Sequence, residues 1–359
     1  MTAGHRIALL GPANSIHLQR WAAALVQRGH AVLVISQHRC ERELLPASAE
    51  VVWLPHAGSL GYFRNAGPLR RVLARWRPEI LNAHYASGYG STSALAGFAP
   101  TLLSVWGSDV YDFPYESAAK GWLLRRNLRR ATAIASTSEA MARQVRRLVP
   151  EVGAIAITPF GVDLTQFAPA PHTTRPLTIG IVKSLAHKYG VDLLLRAFAG
   201  LPDTCRLLVV GDGPQRAELE ALAQELGIAA RTEFTGAVAH AEVPSFLHRL
   251  DIYAAPSRLD SESFGVAVIE ASACGLPVVV SDVGGLPEVV RDFDTGLIVP
   301  RDDVPALQAA LTRLVRDAPL RERLGRAGRA HVLRTYEWGH CVELMERCYE
   351  RTIAQGPRR

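Results

Sequence analysis

Long apolar runs are missing from this 359-residue chain. No stretch reaches the roughly eighteen consecutive apolar residues that a membrane-spanning helix needs. The apolar run inside the N-terminal MTAGHRIALLGPANSIHLQRW is too short for a secretory leader and reads as a first strand. Cysteine is sparse. The five (Cys40, Cys205, Cys274, Cys341 and Cys348) are odd in number, widely scattered and without a CxxC pair. That argues against a disulfide framework and a structural zinc site, and points to a reducing, cytoplasmic setting. Lysine is almost absent from the second half, where Lys183 and Lys188 are the only ones after Lys120. Recognised phosphate loops are missing too. Gly211-Asp212-Gly213-Pro214 is neither GxGxxG nor a Walker loop, so neither NAD nor P-loop chemistry follows. Asp292-Phe293-Asp294 has the form D-x-D but sits in a turn before Gly296 and reads as solvated, so no metal site is expected.

What is present is an α/β pattern repeated twice. Hydrophobic content of 48% and charged content of 21% are those of a soluble globular chain, long enough for two domains. Non-alternating apolar strands are predicted at 6–10, 31–36, 50–54, 80–83, 101–105, 133–136 and 154–157. Helices lie between them, near 16–28, 69–75, 91–96, 118–130 and 139–148. The Pro- and Thr-rich stretch 158–176, TPFGVDLTQFAPAPHTTRP, carries no long periodic segment and reads as a linker. Strands then resume at 177–182, 206–210, 232–235, 252–255 and 278–281, with helices at 191–199, 214–226, 243–250, 265–274, 305–316, 320–333 and 337–353. The expected fold is two tandem doubly wound Rossmann-like domains facing across a cleft, with ligands at the carboxyl ends of the strands. The expected divisions are 1–160, a linker at 161–176, 177–335, and a final helix over 336–359.

The net charge is +6, and the first half carries it unevenly. Residues 61–77 hold five arginines and no acid; residues 117–147 hold seven arginines and Lys120 against Glu139 alone. These are either solvated helix faces or a contact for an anionic partner. Phe63, Leu69, Leu73, Trp76, Trp122, Leu123 and Leu124 lie among them. That mixture suits an anionic membrane surface better than nucleic acid, for which no recognition motif is present.

The most informative stretch is 257–290, SRLDSESFGVAVIEASACGLPVVVSDVGGLPEVV. Glu262 and Glu270 stand with seven residues between them. Glu270 falls inside a small, apolar helix closed by Gly275 and Pro277, where an ionised carboxylate needs a partner. Either an arginine from a neighbouring element pairs with it, or it holds ligand hydroxyls. The helix begins after Phe264-Gly265, where free backbone N–H groups favour an anion. Lys183 directly follows the strand 177–182, and Lys188 lies in the next turn. Two ammonium groups there suit a diphosphate, though either alone reads equally as a loop lysine.

With the segments IGIVKSLAHKYGVDLLLRAF, LLVVGDGP, FTGAV and PFGVD, this stretch resembles the donor-binding half of the retaining glycosyltransferases of family four, which have the GT-B fold. The first half resembles that family more loosely, through RGHAV, NAHYASGYG and VWGSDVY. The resemblance implies that Glu262 holds hydroxyls of a donor sugar and Glu270 the nucleotide ribose. Lys183 and Lys188 would take the family's basic pair on the diphosphate, with Lys at a place usually held by Arg. Phe264, Gly265 and Val266 would meet sugar and diphosphate through backbone groups, Gly236 and Val238 would lie near the base, and the last helix would cross back to the first domain.

The first half departs from the family pattern. Ala13-Asn14-Ser15 replaces a frequent Gly-Gly turn, and Trp106 stands where many members have a histidine. Asp109, and after it His84, are then the candidates for contact with the reacting sugar. Ser15 and His17 are candidates on the acceptor or phosphate side. The resemblance implies retention at the anomeric carbon without a metal or other cofactor, with the departing phosphate taking the acceptor proton. The substrates implied are a nucleotide-diphosphate sugar and a glycan or lipid-linked acceptor in cell-surface polysaccharide synthesis, at the inner face of a membrane. A non-catalytic nucleotide-sugar or glycan-binding protein and a nucleotide-sugar epimerase are the alternative readings.

Overall fold

Apolar runs without alternation become parallel strands covered on both faces. That happens twice in the computed structural model of the protein, which describes residues 4–171 and 176–356. One unit comprises Met1–Pro159 with Cys341–Arg359, the other Phe160–His340.

The first unit holds seven strands: β1 (Arg6–Leu10), β2 (Ala31–Ser36), β3 (Glu50–Trp53), β4 (Ile80–His84), β5 (Thr101–Ser104), β6 (Ala133–Ser136) and β7 (Ile155–Ile157). Their order is β3-β2-β1-β4-β5-β6-β7, and every pairing is parallel. Chain direction across the sheet reverses between β1 and β4, which opens a switch point at their carboxyl ends. The helices between are set by local signals. Ser117 and Ser138 cap the helices Ala118–Arg130 and Glu139–Leu148 by accepting from Lys120 N–H and Met141 N–H. The part of the last helix, Trp338–Gln355, that lies in this unit is tied to the sheet by Tyr349, whose hydroxyl donates to Asn82 Oδ1 at 3.1 Å.

The second unit holds β8 (Thr178–Val182), β9 (Arg206–Val210), β10 (Thr232–Gly236), β11 (Ile252–Ala255), β12 (Val278–Ser281) and β13 (Leu297–Val299). The order is β10-β9-β8-β11-β12-β13, again all parallel. Its switch point lies between β8 and β11. Each sheet has its own core, with Leu10, Ile35, Leu81, Leu103 and Ile134 in the first and Ile181, Leu194, Phe198, Val209 and Val279 in the second.

Several expectations need correction. The helices expected between the strands do not include the glycine-rich segment HAGSLGYFRNAG, yet Gly58–Arg64 forms a helix. The helix expected to run to 250 ends at Leu247, and the three-residue strand β13 was not anticipated. Of the apolar residues among the arginines, Leu69, Leu73, Trp76 and Leu124 are buried in the core. Phe63 and Trp122 remain exposed, and Leu60 joins them. Residues 172–175 of the expected linker lie outside the described residues. No helix among the described residues is long and apolar enough to cross a membrane.

Candidate functional site

The switch point of the second unit gathers most of the residues singled out above. Strand β8 delivers Lys183 to its carboxyl end, where the Lys183 N–H donates to Val210 O at 2.9 Å. The turn His187–Tyr189 then brings Lys188 back. Both ammonium groups lie over one ring: Lys183 Nζ is 4.5 Å and Lys188 Nζ 4.8 Å from the centroid of Tyr189. Tyr189 was missed in the sequence, where a tyrosine next to a lysine carries no signal of its own.

Beyond β11 the chain runs through 256–265 to the helix Val266–Ala273. Gly265 caps that helix at φ +95°, a left-handed conformation that side chains rarely adopt. The loop is held from below by Gly284, whose N–H donates to Asp260 Oδ1 at 3.0 Å. A Cβ on Gly284 would lie 2.1 Å from Glu262 O, so the two backbones approach only because Gly284 has no side chain.

This loop turns Glu262 toward Lys183. Lys183 Nζ lies 3.1 Å from Oε1 and 2.8 Å from Oε2 of Glu262, and the glutamate side chain is only 8% exposed. Burial opposes the charge on Lys183. Glu262, Tyr189 and Glu270 together outweigh it, Glu262 most, and hold the ammonium above its ordinary value. A recess at the pair is lined by Tyr253, Ser257, Ala267 and Val268.

Glu270 does have a partner, but not an arginine. His240 Nε2 stands 2.8 Å from Glu270 Oε1. His240 follows the turn of Gly236 and Val238, and its ring also packs on Phe167 at 5.5 Å. No local pattern singles out His240 among twelve histidines. Gly236 is buried and Val238 half-buried. The Phe264 ring makes edge-to-face contacts with Phe160 at 6.2 Å and Tyr336 at 5.5 Å, which leaves its backbone to meet a ligand. Val266 is half-buried at the start of the helix.

The switch point of the first unit is built differently. Asp109 is wholly buried. Its Oδ2 accepts from Ala86 N–H at 2.7 Å, and its Oδ1 from Trp106 N–H at 3.1 Å and Gly107 N–H at 2.8 Å. Burial pushes its carboxyl upward against those hydrogen bonds. Asp109 therefore fastens the loops after β4 and β5 together and is not placed to touch a sugar. His84 is also wholly buried, with neither ring nitrogen hydrogen-bonded. Desolvation, with the His17 charge as a lesser cause, lowers its pKa to about 3. Neither candidate sugar contact presents surface to a ligand.

Above His84 lies Trp106, with His17, His84 and Tyr85 rings at 5.6, 5.5 and 5.9 Å. Tyr85 adopts φ +78°, a strained conformation for an aromatic residue, and its hydroxyl bonds to Ser108 Oγ. Ser15 caps the helix Ile16–Gln27 by accepting from His17 N–H at 3.3 Å. Asp292 and Asp294 lie in a turn where Asp292 Oδ1 accepts from Ile298 N–H and Asp294 pairs with Arg291. Among the described residues, no group of three or more His, Cys, Asp or Glu side chains is placed to hold a metal ion.

Solved structures share this architecture. A sucrose-phosphate synthase from Thermosynechococcus elongatus superposes with a TM-score of 0.84 over 97% of this chain and 99% of its own, at 22% identity. HepE from Anabaena, solved in complex with UDP, gives 0.80 over 96% and 100%, at 17% identity. These define a two-domain glycosyltransferase-type fold. Two family descriptions then match the sequence itself: "Glycosyl transferases group 1" over residues 163–331 and "Glycosyl transferase 4-like" over residues 6–138. The chain belongs to the group 1 glycosyltransferases of the family-four type.

Among relatives, a GDP-mannose-dependent alpha-(1-6)-phosphatidylinositol monomannoside mannosyltransferase of Mycolicibacterium smegmatis is 34% identical over 200 residues, 50% of this chain and 52% of the relative. A phosphatidyl-myo-inositol mannosyltransferase of the same organism is 28% identical over 95% of this chain and 90% of its own length. A 2-deoxystreptamine glucosyltransferase of Streptomyces kanamyceticus is 32% identical over 69% and 66%. The alignments with the first mannosyltransferase relatives thus span about half the length of those proteins.

Proposed function

We propose that this protein transfers a sugar from a nucleotide-diphosphate sugar to a glycan or lipid-linked acceptor, with retention at the anomeric carbon and without a metal. The observation that carries this reading is the convergence of Lys183, Lys188 and Glu262 at the switch point between β8 and β11. Two ammonium groups beside a helix N-terminus suit a diphosphate, and their charge stabilises the one that departs. Glu262 is the group for sugar hydroxyls and Glu270 for the ribose. Asp109 and His84 are both withdrawn from the surface, which leaves the departing phosphate itself to accept the acceptor proton. The GDP-mannose and phosphatidylinositol in the names of relatives favour a GDP-linked hexose and a lipid-linked acceptor.

Exposed Leu60 and Phe63 beside Arg64, and exposed Trp122 among the arginines of the helix Ala118–Arg130, are the groups offered to an anionic membrane surface. Sedimentation with vesicles tests it. Equal binding to neutral and anionic vesicles at low salt would reject the membrane reading.

Incubation with a panel of nucleotide sugars tests the activity. Slow release of the nucleotide by hydrolysis is expected, and Glu262→Ala should abolish it. Tight binding without turnover against any acceptor extract would instead identify a binding protein.

A further inference from the structure

We propose that Lys183 and Glu262 form an exchange pair that makes a bare nucleoside diphosphate a poor ligand and a nucleotide sugar a good one. This rests on the donor-site reading above and adds how that site tells its substrate from its product.

Three observations carry it. Lys183 is engaged with both oxygens of Glu262, at 2.8 and 3.1 Å. The pair is largely withdrawn from water, with side-chain exposures of 22% and 8%. Among the described residues, Lys183 Nζ is the only donor that reaches the Glu262 carboxylate. The neighbouring charged or titratable groups offer no substitute. Glu270 carries the same charge as Glu262, the Tyr253 hydroxyl donates to Val182 O, and Lys188 lies over Tyr189.

A diphosphate that recruits Lys183 must therefore loosen it from Glu262. A buried carboxylate that loses its one cation is strongly unfavourable. A ligand bearing only phosphates gains the ammonium and leaves that carboxylate uncompensated. A ligand that also brings sugar hydroxyls supplies new donors to Glu262 as the lysine turns away, so the two exchanges offset each other. After transfer, the product nucleotide has no sugar. Glu262 then draws Lys183 back, which weakens the hold on the product. Tyr189 supports this motion, because its ring stabilises the Lys183 ammonium while neither oxygen partner holds it fully.

The test is calorimetric binding of UDP, GDP, UDP-glucose and GDP-mannose to the full chain, in wild type, Glu262→Gln and Glu262→Asp, with melting curves to confirm folding. Glu262→Gln removes the charge that competes for Lys183. Glu262→Asp keeps the charge but withdraws it by one methylene, which separates exchange from plain repulsion of phosphate. The expected result is tighter binding of the bare diphosphate to both variants, by about tenfold for Glu262→Gln and less for Glu262→Asp, with loss of the preference for the nucleotide sugar. A gain in Glu262→Gln alone reduces the effect to charge repulsion and overturns the exchange. So does unchanged or weaker diphosphate binding in both folded variants while wild type binds a nucleotide sugar. Wild type that binds none of the four probes overturns the donor-site reading and the exchange together.

Discussion

The two sheets each reverse direction once, and the two switch points are furnished in opposite ways. In the second unit the polar side chains answer one another one to one: Lys183 with Glu262, and His240 with Glu270. Each carboxylate has a single side-chain partner, which a ligand group of the right chemistry can replace. In the first unit Asp109 is held by three backbone N–H groups and His84 by none. Backbone donors do not swing aside, so Asp109 cannot be exchanged without undoing the loops it fastens. Polar residues gathered near the strands' carboxyl ends thus pair with side chains in one unit and fasten loops in the other.

The sharpest way to break this comparison is Asp109→Ala. It leaves three N–H groups, two of them fully buried, without an acceptor, at roughly 1–3 kcal/mol for each buried one before relaxation. We expect a loss of about 3 kcal/mol or more in urea unfolding. Full stability with abolished nucleotide release would return Asp109 to the role of a sugar contact.

His84 gives the next largest effect. Its pKa in the folded protein, about 3, lies below the ordinary 6.5. Between those values the unfolded chain binds the proton and the folded chain does not. Stability therefore falls as pH drops from 6.5 toward 3, and is unaffected by His84 above 6.5. At 1.36 kcal/mol per pH unit, the loss reaches about 2 kcal/mol by pH 5. His84→Leu removes this slope and also removes two buried nitrogens without partners. Urea unfolding at pH 7 and pH 5 reads it directly, and equal pH slopes in wild type and variant would defeat the argument.

Sequence alone was a good guide to the second switch point and a poor one to the first, for a physical reason. Charge in an apolar context stands out. Glu270 in a small apolar helix and two lysines in an arginine-using chain are visible as residue types. Their partners were not visible. His240 and Tyr189 act through where a turn returns them, and no local pattern marks that. At the first switch point residue type was misleading. An Asp and a His beside strand ends look reactive, but their burial depends on how the loops after β4 and β5 close over them. Strands with long apolar runs were legible to within a residue or two. The three-residue β13 and the glycine-rich helix Gly58–Arg64 were not, because neither has enough length or helix propensity to register before packing selects it.

A smaller effect sharpens the comparison from the other side. Glu270→Ala should weaken nucleotide binding by about tenfold, the worth of roughly one charge-assisted hydrogen bond. His240→Ala should also destabilise the fold, since it strips Glu270 of its partner. If Glu270→Ala leaves nucleotide affinity unchanged, the Glu270–His240 pair is structural, and the second switch point is less unlike the first than its charges suggest.

The smallest effect is expected at Trp106, where the family often has histidine. The ring packs among His17, His84 and Tyr85. Trp106→His keeps a flat ring but gives up part of that contact, so stability should fall by only about 1 kcal/mol. Nucleotide affinity should not move, because Lys183, Lys188, Glu262 and Glu270 all belong to the second unit. Nucleotide release should stay within about threefold of wild type if the ring only packs. A loss well beyond that, with affinity for UDP and GDP unchanged, would show that the aromatic cluster touches the reacting sugar or its acceptor. The first switch point would then recognise ligand through ring faces, while the second does so through charge.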